Sequence, residues 1–474
     1  MALPDGWEMV IGLEVHAELK TATKMFCACP NEFGRSPNTS VCPVCLGLPG
    51  SLPVLNEKAV ELAMALGFAL HCTVAPSTFH RKNYFYPDMP KDFQISQYDL
   101  PINSHGYLDL SDGSRVTIER AHLEEDTGKS THLGGSGRIH GASQSLVDYN
   151  RSGVPLIEIV SGPDMRTSAQ AREYAAELRG ILIATGASDG RMEEGSMRID
   201  ANVSVHKIGT SFGTRCEIKN LNSLRSLQRA IEFEAQRQYE LIEDGGVVRQ
   251  ETRHWDDTVG ETSTMRTKEE AEDYRYFREP DLVDLAPDQA WQDRVRAGLG
   301  PMPAERRAQL VALLGEVTAA QTDVVAAVVD LELDDLVHGA VAAGAPAALA
   351  LARVANELGG DTGRGKLTVA ALASVLLMED RGELSSTQAK TVLADLVEKG
   401  GDPAEHAKAR GFEQLSGDTL GDTVDALIAA NPDEWGRYRD GDDKLAQFFI
   451  GQVMKATQGK ANGKAVIAEL QKRR

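Results

Sequence analysis

The amino-acid sequence predicts an α+β fold for the N-terminal part of the chain and an all-α fold for the remainder. Up to about residue 285, short alternating segments are separated by turns of Gly, Asn, Asp and Pro and are interrupted by two clear helical patterns. After residue 303 the chain becomes rich in Ala and Leu, with no further strand-like alternation. Strands grouped before helices in this way are typical of an α+β domain followed by helical domains.

The length of the chain sets the expected number of domains. A chain of 474 residues exceeds the size at which one hydrophobic core stops growing, about 250 to 300 residues. The loose stretch 281–303 contains three prolines, and Gly-Gly-Asp-Pro at 400–403 forms a second break. We therefore predict three domains, at residues 1–290, 291–400 and 401–474.

Composition excludes several classes of protein. The formal net charge of −20 argues against a general nucleic-acid binder, because Lys and Arg supply the contacts to phosphate. Any contact with RNA must therefore be local. No apolar stretch approaches the ~20 residues that span a bilayer. The first ten residues lack the basic and apolar regions of a signal peptide, so we expect a cytoplasmic protein.

The first predicted strand, Met9–Leu19, has one apolar and one polar face. Its apolar residues alternate with Glu14, His16 and Glu18. Alternation places Glu14 and His16 side by side on the polar face, where they could bind a ligand. A solvated sheet face that carries a His-carboxylate pair is the alternative.

Two helices and a hairpin follow later in this domain. Apolar residues at helical spacing predict helices at about Ser168–Thr185 and Ser223–Glu243. Between them, Met197–Val205 alternates strictly, which indicates a β-hairpin between two helices. Its polar face carries Asp200 and Asn202.

Further carboxylates occur where solvent exposure does not explain them. Glu124, Glu125 and Asp126 are adjacent, and like charges are seldom placed together without a cation. Glu158 interrupts an apolar strand, where an unpaired carboxylate is costly to bury. Oxygen ligands of this kind suit Mg²⁺ bound together with nucleotide phosphates. The acids are interleaved with basic residues, as phosphoryl transfer requires: Arg81, Lys82, Arg120, Lys129, Arg151, Arg198 and Lys219.

Four of the six cysteines form a compact pattern. Cys27 and Cys29 are followed, after twelve residues, by Cys42 and Cys45, with prolines and a glycine that favour tight turns. Four thiolates in this arrangement can surround one structural Zn²⁺ and leave no open position for catalysis. Two unrelated pairs of buried thiols are the alternative.

Two aromatic segments and the C-terminal tail are candidates for contact with RNA. The runs 81–88 and 273–277 combine bases with exposed-type aromatics, which suits stacking on a nucleobase, although an aromatic core strand is equally possible. In the tail a helix is predicted over Asp443–Thr457. From residue 451 onwards six basic residues face one acid, and the alternative there is a solvated helix end.

These motifs, in this order and spacing, resemble the GatB family of tRNA-dependent amidotransferases. The resemblance covers nearly the whole chain. The segments that carry it are Ile11–His16, Val41–Pro53, Arg81–Asp88, Gln94–Gln97, Glu124–Ser130, Pro155–Val160, Met192–Ser204, Glu217–Ser223, Gln250–Arg253, Asp273–Phe277 and Gly451–Asn462.

The resemblance implies a fold and a reaction. The N-terminal domain would be a cradle similar to the core of glutamine synthetase and guanidino kinases, followed by a helical domain and a small YqeY-like tail that touches tRNA. The chain would use ATP to phosphorylate the side-chain carboxylate of Glu-tRNA(Gln) or Asp-tRNA(Asn), which ammonia then amidates. An amidase partner, GatA, would free the ammonia from glutamine, and a small partner, GatC, would complete the heterotrimer GatCAB.

The resemblance also implies roles for individual residues. The catalytic Mg²⁺ site would consist of Glu14, His16, Glu125, Glu158 and Asp200. Zinc would be held by Cys27, Cys29, Cys42 and Cys45. Contacts with ATP or tRNA would come from Arg81, Lys82, Tyr84, Tyr86, Lys129, Arg151, Arg198, Lys219, Asn220, Arg275, Tyr276, Lys455 and Lys460.

Two other functions fit parts of the sequence. One is a free-standing ATP-dependent amide ligase that acts on a small carboxylate, for which the C-terminal helices would be superfluous. The other is a non-catalytic, zinc-containing scaffold that binds tRNA, for which five clustered metal-type ligands would be unnecessary.

Overall fold

The structure is a computed structural model that describes residues 3–134, 142–267, 274–360, 362–412, 417–457, 461 and 463–474. The chain divides into two compact units, Met1–Met302 and Pro303–Arg474. Among the described residues, no helix has the length and apolar character needed to cross a membrane. A mixed α+β first part and a helical second part are as the sequence predicts.

The first unit is built on a large, mainly antiparallel sheet. Its strands are β1 Trp7–Glu18, β2 Thr73–Val74, β3 Thr78–Asn83, β4 Phe93–Leu100, β5 Asn103–Asp109, β6 Arg115–Glu125, β9 Pro155–Ser161, β10 Met197–Lys207, β11 Cys216–Leu221, β12 Glu251–Asp256, β13 Glu261–Thr267 and β14 Phe277–Arg278. The main path runs β13-β12-β11-β10-β1-β9-β6-β4-β3-β14, and β5 pairs with β2 and β6. A separate pair consists of β7 Lys129–Leu133 and β8 Gln144–Asp148.

The central strand β1 is the one predicted from alternation. Its residues Ile11, Leu13 and Val15 are buried in the core. Its neighbours are β10 and β9, and the register aligns Glu14 with Asp200 and His16 with Glu158. Strand β10 forms an antiparallel hairpin with β11, which confirms the hairpin predicted between two helices.

Four helices belong to this unit: α1 Glu57–Ala69, α2 Ser168–Ala184, α3 Leu224–Glu243 and α4 Gln289–Ala297. Helices α2 and α3 confirm the two predicted ones, and their first turns are capped by Thr167 and Ser223. Helix α1 was not predicted. Asn56 caps it, and its long run of buried residues packs into the core.

The second unit is helical throughout its described part. Its helices are α5 Pro303–Leu314, α6 Ala319–Asp330, α7 Asp334–Ala342, α8 Ala347–Glu357, α9 Val369–Asp380, α10 Ser386–Lys399, α11 Pro403–Ala409, α12 Gly417–Ala430, α13 Pro432–Arg439, α14 Leu445–Ala456 and α15 Gly463–Arg473. They surround two clusters of buried apolar side chains, one between Leu310 and Ala407 and one between Leu420 and Leu470. The division of this part at residue 400 stays a prediction.

Two details differ from the sequence prediction. Helix α4 packs against the core of the first unit through Trp291 and Val295, so this unit continues beyond the predicted boundary at residue 290. The predicted tail helix corresponds to α14, in which Phe449 and Val453 are buried as expected. Ala456, predicted to face inward, is exposed because the helix ends there.

Candidate active site and cysteine cluster

The centre of the candidate site is a group of ionisable side chains on one face of the sheet. His16 Nε2 lies 3.7 Å from Glu124 Oε1 and 3.5 Å from Glu158 Oε2. One ligand atom from each of these three residues lies within 4.8 Å of the others, a spacing that could hold a metal ion. His122 Nε2 adds a second imidazole, 3.6 Å from Glu158 Oε2.

Crowding shifts the pKa values of these groups apart. Burial, together with the charge of Glu158, raises the pKa of Glu124 to about 7. Burial alone would lower the pKa of His16, but the hydrogen bond and charge of Glu158 raise it to about 9. Burial lowers the pKa of His122 to about 4. The pKa of Glu158 is held well below its usual range, because His16, His122 and Arg120 together outweigh its burial.

A second group lies beside the first, on strands β1, β10 and β11. Asn202 Nδ2 donates to Glu14 Oε1 at 3.0 Å, and Lys219 Nζ donates to Asp200 Oδ2 at 2.6 Å. Burial and the nearby charges of Glu158, Glu217 and Asp200 raise the pKa of Glu14. Negative charge is therefore in excess here, although Lys219 offsets part of it.

A third group continues the same face in the other direction. Asp126 lies between two guanidinium groups, with Arg198 Nη2 at 2.6 Å and Arg151 Nε at 3.6 Å from its Oδ2 atom. Burial and the charge of Asp126 raise the pKa of Glu18 to about 8. The three groups together form what we call the polar floor: Glu14, His16, Glu18, His122, Glu124, Asp126, Glu158, Arg198, Asp200 and Lys219.

Glu125, which the sequence prediction included among the metal ligands, does not lie on the polar floor. Alternation along β6 turns Glu124 toward the floor and Glu125 toward the opposite face. There the buried carboxylate of Glu125 forms an ion pair with Lys91 and accepts a hydrogen bond of 3.0 Å from Ile95 N. Glu124 takes the predicted position of Glu125.

The predicted basic and aromatic contacts are partly brought to the floor. Arg120 Nη2 lies 3.7 Å from Glu158 Oε1, and its guanidinium lies over the ring of Tyr98. Tyr98 stacks on Tyr276 with ring centroids 4.9 Å apart. Glu124 and Glu158 contribute to the raised pKa of Tyr276, after burial, so this aromatic pair stands at the edge of the floor.

Other predicted contacts have structural partners. Arg81 donates to both carboxylate oxygens of Glu279, at 2.7 and 2.8 Å. Lys82 lies over the ring of Tyr274, and Asn220 Nδ2 donates to Trp255 O.

The remaining predicted contacts are placed near these elements. Tyr84 and Tyr86 stack on each other at 4.7 Å. The backbone carbonyl of Arg275 accepts from Asn83 Nδ2 at 2.8 Å. Lys129 is exposed on β7 and, with Arg151, lines an open pocket.

The four predicted zinc ligands come together in the structure. The sulphur atoms of Cys27, Cys29, Cys42 and Cys45 lie within 4.8 Å of one another, and all four are free thiols. The 3.8 Å between the sulphurs of Cys42 and Cys45 matches the edge of a tetrahedron with Zn–S bonds of ~2.3 Å. The hydrogen bond from Cys27 lowers the pKa of Cys45 to about 5, which favours a thiolate.

The tail is less basic in the structure than in the sequence. Lys455 is exposed, whereas Lys472, Arg473 and Arg474 form ion pairs with Glu469, Asp425 and Asp443. Lys460 lies outside the described residues. Three of the six predicted cations are thus already balanced by carboxylates.

The sequence prediction did not include His122, Asp126 or Glu18 among the site residues. The alternation His122-x-Glu124-x-Asp126 on one strand was the signal that could have found two of them, because residues two apart share a face. With these additions the floor offers imidazole and carboxylate donors flanked by cations. Such a site belongs to the class that can bind a divalent cation together with an anionic substrate.

Comparisons with known proteins place the chain within this class. Residues 9–293 match a family model described as the GatB/GatE catalytic domain, and residues 342–473 match one described as the GatB domain. The aspartyl/glutamyl-tRNA(Asn/Gln) amidotransferase GatB-type protein of Nocardioides sp. is 48% identical over 97% of this chain and 95% of its own length. Its counterparts from Nocardia farcinica and Mycobacterium tuberculosis are each 49% identical over 97% of this chain, and over 94% and 93% of their own lengths. The chain belongs to the GatB family.

The ion pair between Lys91 and Glu125 yields a test of their structural role. Lys91→Met leaves the buried Glu125 carboxylate without its counter-ion and should lower the free energy of unfolding by about 3 to 5 kcal/mol. Adding Glu125→Gln should recover most of this loss. Denaturant unfolding followed by the fluorescence of Trp7 and Trp255 measures both effects.

The control is Lys58→Met, which removes an exposed lysine 3.2 Å from Glu61 and should change stability by less than about 1 kcal/mol. If Lys91→Met were no more destabilising than this control, Glu125 would be free to serve another role.

Proposed function

We propose that this chain is the component of a tRNA-dependent amidotransferase that activates a carboxylate with ATP. A side-chain carboxylate oxygen of Glu-tRNA(Gln), Asp-tRNA(Asn) or both attacks the γ-phosphorus of ATP, and ADP leaves. Ammonia then attacks the acyl carbon and expels phosphate, which gives the amidated tRNA. Activation is needed because a free carboxylate is a poor acyl donor.

The observation that carries the proposal is the gathering of His16, Glu124 and Glu158 on one sheet face. Their nitrogen and oxygen donors fit a hard divalent cation, and the raised pKa of Glu124 reflects negative charge that a cation would neutralise. In the proposal these residues hold Mg²⁺, with Glu14 and Asp200 beside them. When bound, Mg²⁺ offsets the charge of the ATP phosphates.

The cations of the floor complete the proposed chemistry. Arg120 and Lys219 flank the metal-type ligands, while Arg198 and Arg151 enclose Asp126 at the other end. Guanidinium and ammonium groups held in place by carboxylates are preorganised to stabilise charge that develops on a transferred phosphoryl group. We assign these cations to the binding of ATP and of the activated carboxylate.

The wider architecture is also part of the proposal. The first unit would be a cradle similar to the core of glutamine synthetase and guanidino kinases, and its large antiparallel sheet with an acidic face supports this. The partners GatA and GatC would assemble with it, and GatA would supply ammonia from glutamine. The tail would touch tRNA through exposed Lys455 and through Lys460. Because aminoacyl-tRNA is the substrate, we propose a cytoplasmic location.

Zinc is proposed for the cysteine cluster. Four sulphurs at this spacing leave no position open for substrate, so the ion would be structural. Cys45 is buried beside Gly153, which places the cluster against the segment that follows β8.

The central test uses two adjacent residues with the same side chain. In the reconstituted complex, Glu124→Gln should raise the Mg²⁺ concentration for half-maximal tRNA-dependent ATP hydrolysis roughly tenfold or more, because a metal ligand loses its charge. Glu125→Gln should leave that concentration unchanged, since its carboxylate points to the opposite face.

Equal Mg²⁺ requirements for the two variants would contradict the assignment. ATP hydrolysis that did not depend on misacylated tRNA would instead favour a free-standing amide ligase, and its absence in the wild type would favour a non-catalytic scaffold.

The zinc proposal has its own test. Protein purified under reducing conditions should contain one Zn²⁺ per chain, and the double variant Cys42→Ser, Cys45→Ser should lose the metal and unfold at a lower temperature. Cys72→Ser is the matched control, because this buried thiol lies outside the cluster. Wild-type protein free of zinc would overturn the proposal.

A further inference from the structure

The chain between the two cysteine pairs is tied to the segment that follows β8. Asn38 N donates to Asp148 Oδ1 at 2.9 Å, and Asn38 Nδ2 donates to Val147 O at 3.0 Å. In return, Tyr149 N donates to Asn38 Oδ1 at 2.8 Å. Asn38 therefore uses its backbone N–H and both ends of its amide side chain on this one segment.

Asn150 completes the connection from the other side. Its Oδ1 accepts from Ser40 N, and its Nδ2 donates to Ser36 O, both at 2.7 Å. We call these five hydrogen bonds between loop 36–40 and segment 147–150 the asparagine clamp. Because each asparagine both donates and accepts, neither an aspartate nor an aliphatic side chain reproduces the pattern.

The same segment is held at a second point close to the cysteines. The buried ammonium of Lys24 donates to Tyr149 O at 3.1 Å and to Ser152 O at 2.6 Å. The backbone N–H of Lys24 in turn donates to Cys29 O at 3.0 Å. Segment 147–153 is thus fixed to the cysteine region at both of its ends.

This segment carries Arg151 to the polar floor. Arg151 donates to the backbone carbonyls of Thr127 and Gly128 at 2.9 and 3.0 Å, and it lies 3.6 Å from Asp126. Arg198 lies on the same carboxylate. The guanidinium of Arg151 is only one residue from Asn150, so its placement depends on the backbone that the clamp fixes.

We propose that the asparagine clamp positions Arg151 at the floor, and that it transmits the state of the cysteine cluster to an oxyanion-binding subsite formed by Arg151 and Arg198. Asn38 and Asn150 are positioning residues in this scheme. The inference rests on the proposed function for the identity of the oxyanion, which is either a phosphate of ATP or the carboxylate of the aminoacyl group.

The variant Asn38→Gly separates the clamp from the loop backbone. Asn38 has a φ of 58°, in the left-handed region, which glycine adopts without strain. Glycine keeps the backbone N–H that binds Asp148 but loses the two side-chain bonds. Asn150→Ala breaks the clamp from the other side, and Glu32→Gln, which alters only an exposed ion pair with Arg35, is the control.

Hydrogen exchange of the full-length chain tests the coupling without any substrate. In both clamp variants the amides of 147–153 should exchange at least tenfold faster than in the wild type and in Glu32→Gln. Removing metal with a chelator should accelerate the same amides in the wild type but add little in Asn38→Gly. Unchanged exchange in the clamp variants, or an additive effect of chelation, would overturn the inference.

Kinetics of the reconstituted complex then test the positioning role. Clamp variants should raise the KM for one anionic substrate about tenfold, while kcat stays within about twofold, and the KM that rises identifies the oxyanion as ATP or misacylated tRNA. Arg151→Lys should raise the same KM. If folded clamp variants with fast exchange kept both KM values, or lost kcat alone, Arg151 would not be positioned by the clamp. The exchange result stands even if the complex proves to catalyse another reaction.

Discussion

The rest of the structure depends on the crowding of carboxylates on one face of a sheet. Strand β1 turns Glu14, His16 and Glu18 to this face, and the registers of β9 and β10 bring Glu158 and Asp200 beside them. Like charges at such distances are unfavourable unless cations or protons compensate them. The raised pKa values of Glu14, Glu18 and Glu124 express this cost, which a bound cation would relieve.

Alternation in the sequence was sufficient to predict much of this face. It identified β1 and the hairpin strand β10, and with them Glu14, His16 and Asp200, because a period of two determines which side chains share a face. It could not decide between Glu124 and Glu125. Strand β6 contacts three other strands and has a register shift between Ile118 and Arg120, so the phase of its polar face is set by tertiary pairing.

Other misses have similar physical causes. Helix α1 is buried on most sides, and a helix without a polar stripe shows no amphipathic period by which to recognise it. The tail appeared strongly basic because ion pairs such as that of Arg473 with Asp425 join residues far apart in sequence. The four cysteines were predictable, since their spacing is local, whereas the clamp that links their loop to Arg151 spans over one hundred residues.

Transfer of phosphate to a carboxylate is the central property that we propose for the polar floor. A heavy-oxygen label in the side-chain carboxylate of Glu-tRNA(Gln) or Asp-tRNA(Asn) tests it most directly, because an acyl phosphate passes one labelled oxygen to phosphate when ammonia displaces it. Mass spectrometry of the inorganic phosphate should find one labelled oxygen for each amidated tRNA in the wild-type complex. Amidation with no label in the phosphate would contradict activation by phosphorylation.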